Sequence, residues 1–107
     1  ENLIPKELTK AQTNIIYAAE ADILNVALFG LTAAEWRGKN SDKKGNIRDY
    51  ADISQLVCLS NLENLNALFI NNRLPLQERL ARLNAIAIQQ MKLLTENRQV
   101  KKLEAKK

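Results

Sequence analysis

The densest group of chemically active side chains is a run of cations, Arg37, Lys39, Lys43, Lys44 and Arg48, with a single acid, Asp42, among residues 37–48. Clustered guanidinium and ammonium groups bind phosphates or carboxylates, and the rings of Trp36 and Tyr50 at the ends of this stretch offer stacking surfaces for a base. Contact with DNA or an acidic partner is therefore one chemistry the spacing provides. A charged run is also the ordinary composition of a solvated loop. In that second reading Asp49 accepts from backbone N–H groups at the helix that follows, Arg48 holds a carbonyl or carboxylate, and Tyr50 packs inward. Trp36, Asp49 and Tyr50 then act as loop anchors, which leaves the tip from Lys39 to Lys44 free. Both readings stand on the residues alone.

Other chemistries find no foothold. The chain has no histidine and one cysteine, Cys58, so the clusters that hold zinc are missing, and the segment DKKGN lacks the alternating oxygen ligands and closing glutamate of a calcium loop. No metal or cofactor is expected. Nucleophilic catalysis needs a nucleophile beside a base, which nothing signals, and Glu20 and Asp22 are two residues apart on a helix, pointing to different sides. Three scattered glycines form no phosphate cradle. The expected catalytic set is empty, and the chain is not expected to be an enzyme. Cys58, in an apolar run at residues 56–59, reads as a small buried hydrophobe.

The elements that carry these residues follow from capping and periodicity. Residues 1–8 read as an extended linker or arm, since Pro5 biases Ile4 away from helical angles. Thr9 with Gln12 has the form of a capping box, and Ile15, Ile16, Ala19, Ile23, Val26 and Ala27 recur at a helical period up to Gly30, which predicts one helix over the whole span. Thr32 with Glu35 opens a short second helix. Asp52 with Gln55 opens a third, whose residues Ile53, Leu56, Val57, Leu59, Leu62, Leu65, Leu68 and Phe69 are apolar around more than half its circumference, the pattern of a central helix. After Asn71, Asn72 and Arg73, Pro75 begins a fourth helix. Leu76, Leu80, Leu83, Ala87, Met91 and Leu94 form its core stripe, and Arg79, Arg82, Gln89 and Lys92 lie off it. Asn66 and Asn84 fall within or beside these stripes and must find side-chain hydrogen bonds to a neighbouring helix or a loop carbonyl.

The fold expected is all-α, a compact bundle of three long helices plus one short helix, with a basic loop between helices two and three. Residues 9–95 make the helical domain and residues 96–107 a basic helical tail. The net charge of +4 is uneven: residues 37–48 and residues 98–107 each carry five bases and one acid, which leaves the rest at −4. No apolar run is long enough for a membrane span and no secretory signal is recognisable, so a reducing, cytoplasmic setting is expected. The start at Glu1 and the uncapped charged end suggest a piece of a longer protein.

Two stretches, LTAAEWRGKNSDKKGNIRDYADISQLVCLSNLENLNALFI and LQERLARLNAIAIQQMKLL, resemble the C-terminal helical region of bacterial and phage proteins that carry an N-terminal KilA-N domain, and the lead-in ENLIPKELTKAQTNIIYAAEADILNVALFG is similar to the segment before that region. The strings GNIRDYA and SNLENLNA are the most specific parts. The resemblance departs from the family pattern at Pro75, where a small polar cap is more usual, and at Asn71 and Asn72, which replace a glycine-containing turn. It implies an accessory C-terminal module of a phage-type DNA-binding or regulatory protein, whose DNA reader is the KilA-N domain outside this chain. The module is expected to mediate protein interaction or self-association through apolar surface left on helix three or four. The alternative is auxiliary, non-specific DNA binding by the basic loop and tail.

Overall fold

Three of the sequence's polar pairs act as helix starts in the computed structural model, which describes the backbone of residues 3–105 and the side chains of residues 3–96. In each, a side chain accepts from a free backbone N–H of the first turn and a glutamine or glutamate three residues on reaches back to the cap. Thr9 and Gln12 open α1 (Lys10–Thr13), Thr32 and Glu35 open α3 (Ala33–Lys39), and Asp52 and Gln55 open α4 (Ile53–Asn71). Between α1 and α3 lies α2 (Glu20–Phe29), and after Pro75 runs α5 (Leu76–Ala105). Every regular element among the described residues is helical.

The expected single helix from Thr9 to Gly30 is broken. Residues 14–19 are not helical, and the chain folds back so that Gln12 Nε2 donates to Gly30 O at 3.3 Å. On a continuous helix those residues would be about 27 Å apart. Two β-branched residues at the break, Ile15 and Ile16, are poor helix formers, and the Tyr17 hydroxyl donates to Gln12 O at 2.9 Å across it. The Thr9 cap is served equally well by one turn. Ile15 and Ile16, expected on the core face, are 49% and 87% exposed. α2 instead starts after Ala19, without a side-chain cap, and its first turn carries Glu20 and Asp22, acids favoured by the positive end of the helix dipole.

α5 is the spine against which α2 and α4 both pack. The core gathers Ile23, Val26, Ala27 and Leu28 of α2, Cys58 and Leu62 of α4, and Leu80, Leu83, Ala87 and Met91 of α5. The central position expected for α4 belongs to α5, and the most completely buried stretch is in α2, whose residues 23–28 are all buried. Leu3, Ile4 and Leu8 of the extended arm close over the same core. Glu1 and Asn2 lie outside the described residues, as do the side chains of the basic tail from residue 97 onward. The α5 backbone stays helical to Ala105, eleven residues past Leu94, the last of the described side chains that packs on the core, and the molecule is drawn out to 49 × 38 × 22 Å.

Candidate functional site

Residues 36–50 form a closed clasp rather than an open strap. Trp36, buried on α3, sits 5.4 Å from the Tyr50 ring, with the two planes tilted by 33°. The Tyr50 hydroxyl donates to Lys44 O at 2.7 Å, and Asn40 Nδ2 donates to Trp36 O at 2.9 Å. A fourth capping box, unforeseen from the sequence, starts the 3-10 turn Ile47–Tyr50: Asn46 Oδ1 accepts from Arg48 N at 2.9 Å, and Asp49 Oδ2 accepts from Asn46 N at 2.8 Å. Asp49 therefore caps this turn and not α4, where Asp52 takes the role expected of it. Tyr50 is 52% exposed and turns toward Trp36 instead of the main core. Ile47 is the buried foot of the clasp.

The cations are arrayed on the outside of this clasp. Arg37, Lys39, Lys43 and Lys44 are exposed, whereas Arg48 is half-buried. The Lys43 ammonium lies 5.1 Å from the Tyr50 ring centre, a cation–π contact. The Tyr50 ring thus contacts both Trp36 and Lys43, and Trp36 itself is covered. Arg48 lines a shallow cleft of about 240 Å³ with Ala21, Asn25, Ala33, Asn46 and Ile47. Asn25, 4% exposed, has an Oδ1 with no partner among the described residues.

Two polar clusters fasten the bundle. Arg79, assigned off the core stripe by periodicity, is buried: its guanidinium donates to Glu20 Oε1 at 2.6 Å and to Asn66 Oδ1 at 2.9 Å, and its Nε donates to Leu74 O at 3.2 Å. Asn66 Nδ2 donates to the same Glu20 oxygen at 2.8 Å. This joins the start of α2, the middle of α4 and the first turns of α5. The Arg79 hydrogen bonds hold the Glu20 carboxyl below its usual range against the opposing effect of burial, and Asn66 adds to the lowering. Glu20 is thus held in an ion pair, and Asp22 Oδ1 accepts from Ala33 N at 3.4 Å. Asn84 forms the second cluster. Its Nδ2 donates to Ala27 O at 3.0 Å and Lys6 O at 3.2 Å, and its Oδ1 accepts from Leu8 N at 3.1 Å, which ties the arm to α2 and α5.

Apolar surface is left on the outer side of α4, the third helix of the sequence reading. Only one of its nineteen residues, Glu63, is charged. Ile53 is 68% exposed, Leu68 53%, Val57 44% and Leu56 39%. With Ser60, Asn64, Ala67 and Asn71 they occupy an arc of about 120° opposite the buried side chains of Cys58 and Leu62. A helix apolar all round is normally covered all round, and this one is covered on one side. The signal in the sequence was the near absence of charge.

Among the described residues no group of His, Cys, Asp and Glu is placed to hold a metal ion, and no helix is long and apolar enough to cross a membrane. Cys58 is fully buried, and burial pushes its thiol up to about 11, out of the range of a reactive thiolate. Comparisons with protein-family models, with curated proteins and with solved structures returned no match.

Proposed function

We propose that the chain is a protein-interaction module, the accessory helical part of a KilA-N type DNA-binding or regulatory protein in a reducing, cytoplasmic setting, and that the outer face of α4 is its docking surface. One observation carries the reading: four large apolar side chains, Ile53, Leu56, Val57 and Leu68, stand exposed on one uncharged face of a well-capped helix. Exposed large apolar side chains gathered on one uncharged face mark contact sites. The family part of the reading rests on the sequence resemblance alone.

The test is a photo-crosslinking amino acid at position 60, in the middle of the face, with a control at Lys92 on α5. In cells producing the chain, a discrete adduct from position 60 and none from Lys92 is expected. No adduct from position 60 would remove the reading.

A second reading is favoured by the exposed cations. Arg37, Lys39, Lys43 and Lys44 project from a loop held in shape by the Tyr50 to Lys44 bond, the arrangement of an auxiliary, non-specific phosphate contact. DNA affinity would then fall by about 0.9 log units per log unit of salt for each phosphate neutralised. Charge reversal of Lys43 and Lys44 should abolish retention on duplex DNA at low salt. Retention unchanged by that reversal would rule the loop out.

A further inference from the structure

We infer that the shallow cleft shared by Asn25 and Arg48 is a binding site for a carboxylate carried on a short aliphatic chain. No residue of α4 lines the cleft, so the site goes beyond the docking reading above and stands whether or not that face is used.

A contrast among buried amides points to it. Asn66 and Asn84, 4% and 3% exposed, each have both ends of the amide hydrogen-bonded. Asn25 is buried as deeply, at 4%, yet neither its Oδ1 nor its Nδ2 has a partner among the described residues. Buried polar groups left in that state are rare. The two buried or half-buried arginines divide in the same way. Arg79 is bonded to Glu20, Asn66 and Leu74, whereas the Arg48 guanidinium, half-buried, has no ion pair or hydrogen bond among the described residues. The unpartnered amide and the unpartnered cation line one cleft.

The bundle itself shows what an arginine and an asparagine hold together. In the Arg79 cluster one carboxylate oxygen, Glu20 Oε1, accepts from the guanidinium at 2.6 Å and from Asn66 Nδ2 at 2.8 Å. The cleft offers the same two donor types without the acid. Neighbouring carboxylates are turned elsewhere, Asp22 to Ala33 N and Asp49 to Asn46 N. A guanidinium meets a carboxylate through two parallel hydrogen bonds, one charge to one, whereas a phosphate dianion would leave charge unmatched. The remaining walls include Ala21, Ala33 and Ile47, which suit methylene groups. At about 240 Å³ the cleft is smaller than the roughly 300–1,000 Å³ of sites that enclose a drug-sized ligand. It therefore takes a short chain ending in an acid, either a small free carboxylic acid or the side chain of a glutamate on another polypeptide.

The test is a nuclear magnetic resonance titration of the full ¹⁵N-labelled chain at neutral pH, with ionic strength held constant by sodium chloride. Three probes are added separately: butyrate, the α-amide of N-acetylglutamate, and butyramide, which has the shape of butyrate without its charge. Concentrations run to about 50 mM, since ligands of so few atoms bind in the millimolar range. The side-chain amide signals of Asn25 should shift and saturate with the two acids and stay in place with butyramide. Arg48→Gln, verified as folded by circular dichroism, should raise the dissociation constant for butyrate at least about tenfold, the loss expected for a charge-assisted contact. Arg37→Gln, which removes a cation outside the cleft, should leave it unchanged.

Saturation at lower concentration by butyrate would name a free acid as the source, and the reverse order a glutamate side chain. No saturable shift at Asn25 with either acid would overturn the inference without recourse to any variant. Equal binding of butyramide, or a dissociation constant unmoved by Arg48→Gln, would overturn it as well.

Discussion

Asn84 satisfies three backbone groups from two other segments, and its removal would leave the buried Ala27 O and the part-buried Leu8 N and Lys6 O without their side-chain partner. An unpaired buried donor or acceptor costs about 1–3 kcal/mol, so Asn84→Ala should lower stability by about 2–3 kcal/mol in urea melts. It should also raise the hydrogen-exchange rate at the Leu8 amide first. Unchanged exchange there would mean that the arm is held by its leucines alone. Gly45 is a second residue with a definite cost. It has φ +87°, and a β-carbon there would collide with the Asp49 carboxylate that caps the 3-10 turn. Gly45→Ala should cost about 1–2 kcal/mol in the same melts, through strain and loss of the cap. Glu20 adds a pH dependence. Its folded-state pKa is lowered by Arg79, so its contribution is complete above the ordinary value of 4.5 and is lost as the pH falls through the lower folded value. The stability gap between the unmodified chain and Glu20→Gln should therefore be widest near neutrality and shrink as the pH falls below 4.5. A gap that stays constant with pH would show that the ion pair contributes nothing beyond its hydrogen bonds.

At the scale of elements, the break between α1 and α2 makes a prediction that a continuous helix would reverse. Ile16 is 87% exposed, so Ile16→Ser should change stability by less than about 0.5 kcal/mol, whereas the same change on a core face would cost several times that. The contrast shows how far the sequence could be read. Helix starts at Thr9, Thr32 and Asp52 were legible because a capping box is written within four residues. The end at Gly30 was legible because glycine takes φ +78° at little cost. The break at residues 14–19 was hidden because Ile15 and Ile16 keep the helical period while opposing the helix, and only the fold-back that sets Gln12 against Gly30 decides between them. Arg79 was misplaced for a related reason: periodicity ranks it as a surface cation, and its partner Glu20 lies 59 residues away. In the loop, the ends were readable as anchors, but their partners were not. Asp49 turns back to Asn46 and Tyr50 to Lys44, local closures that no helical or strand period encodes.

For the whole molecule, the arrangement separates two surfaces of opposite character. The clasp at residues 36–50 carries the charge and α4 carries the bare apolar face, so the two can be altered independently. Substitutions that reverse Lys43 and Lys44 should leave the adduct formed from position 60 unchanged, and Leu56→Glu should leave retention on duplex DNA unchanged. Coupling between the two readouts would mean that the surfaces act as one. Cys58 supplies an internal standard for either experiment. Buried and held as a neutral thiol, it should resist modification by iodoacetamide in the native chain and react at the rate of an ordinary cysteine only in denaturant.

The hydrogen bond from Leu8 to Asn84 spans 76 positions of the chain. Leu3, Ile4 and Leu8 rest on a surface that α2 and α5 build together, so the arm has nowhere to bind until those helices have met. Loop-closure entropy is then spent before this contact returns anything. The segment translated before α1 is accordingly among the last to find its place, and it should be the first to detach when the native state opens.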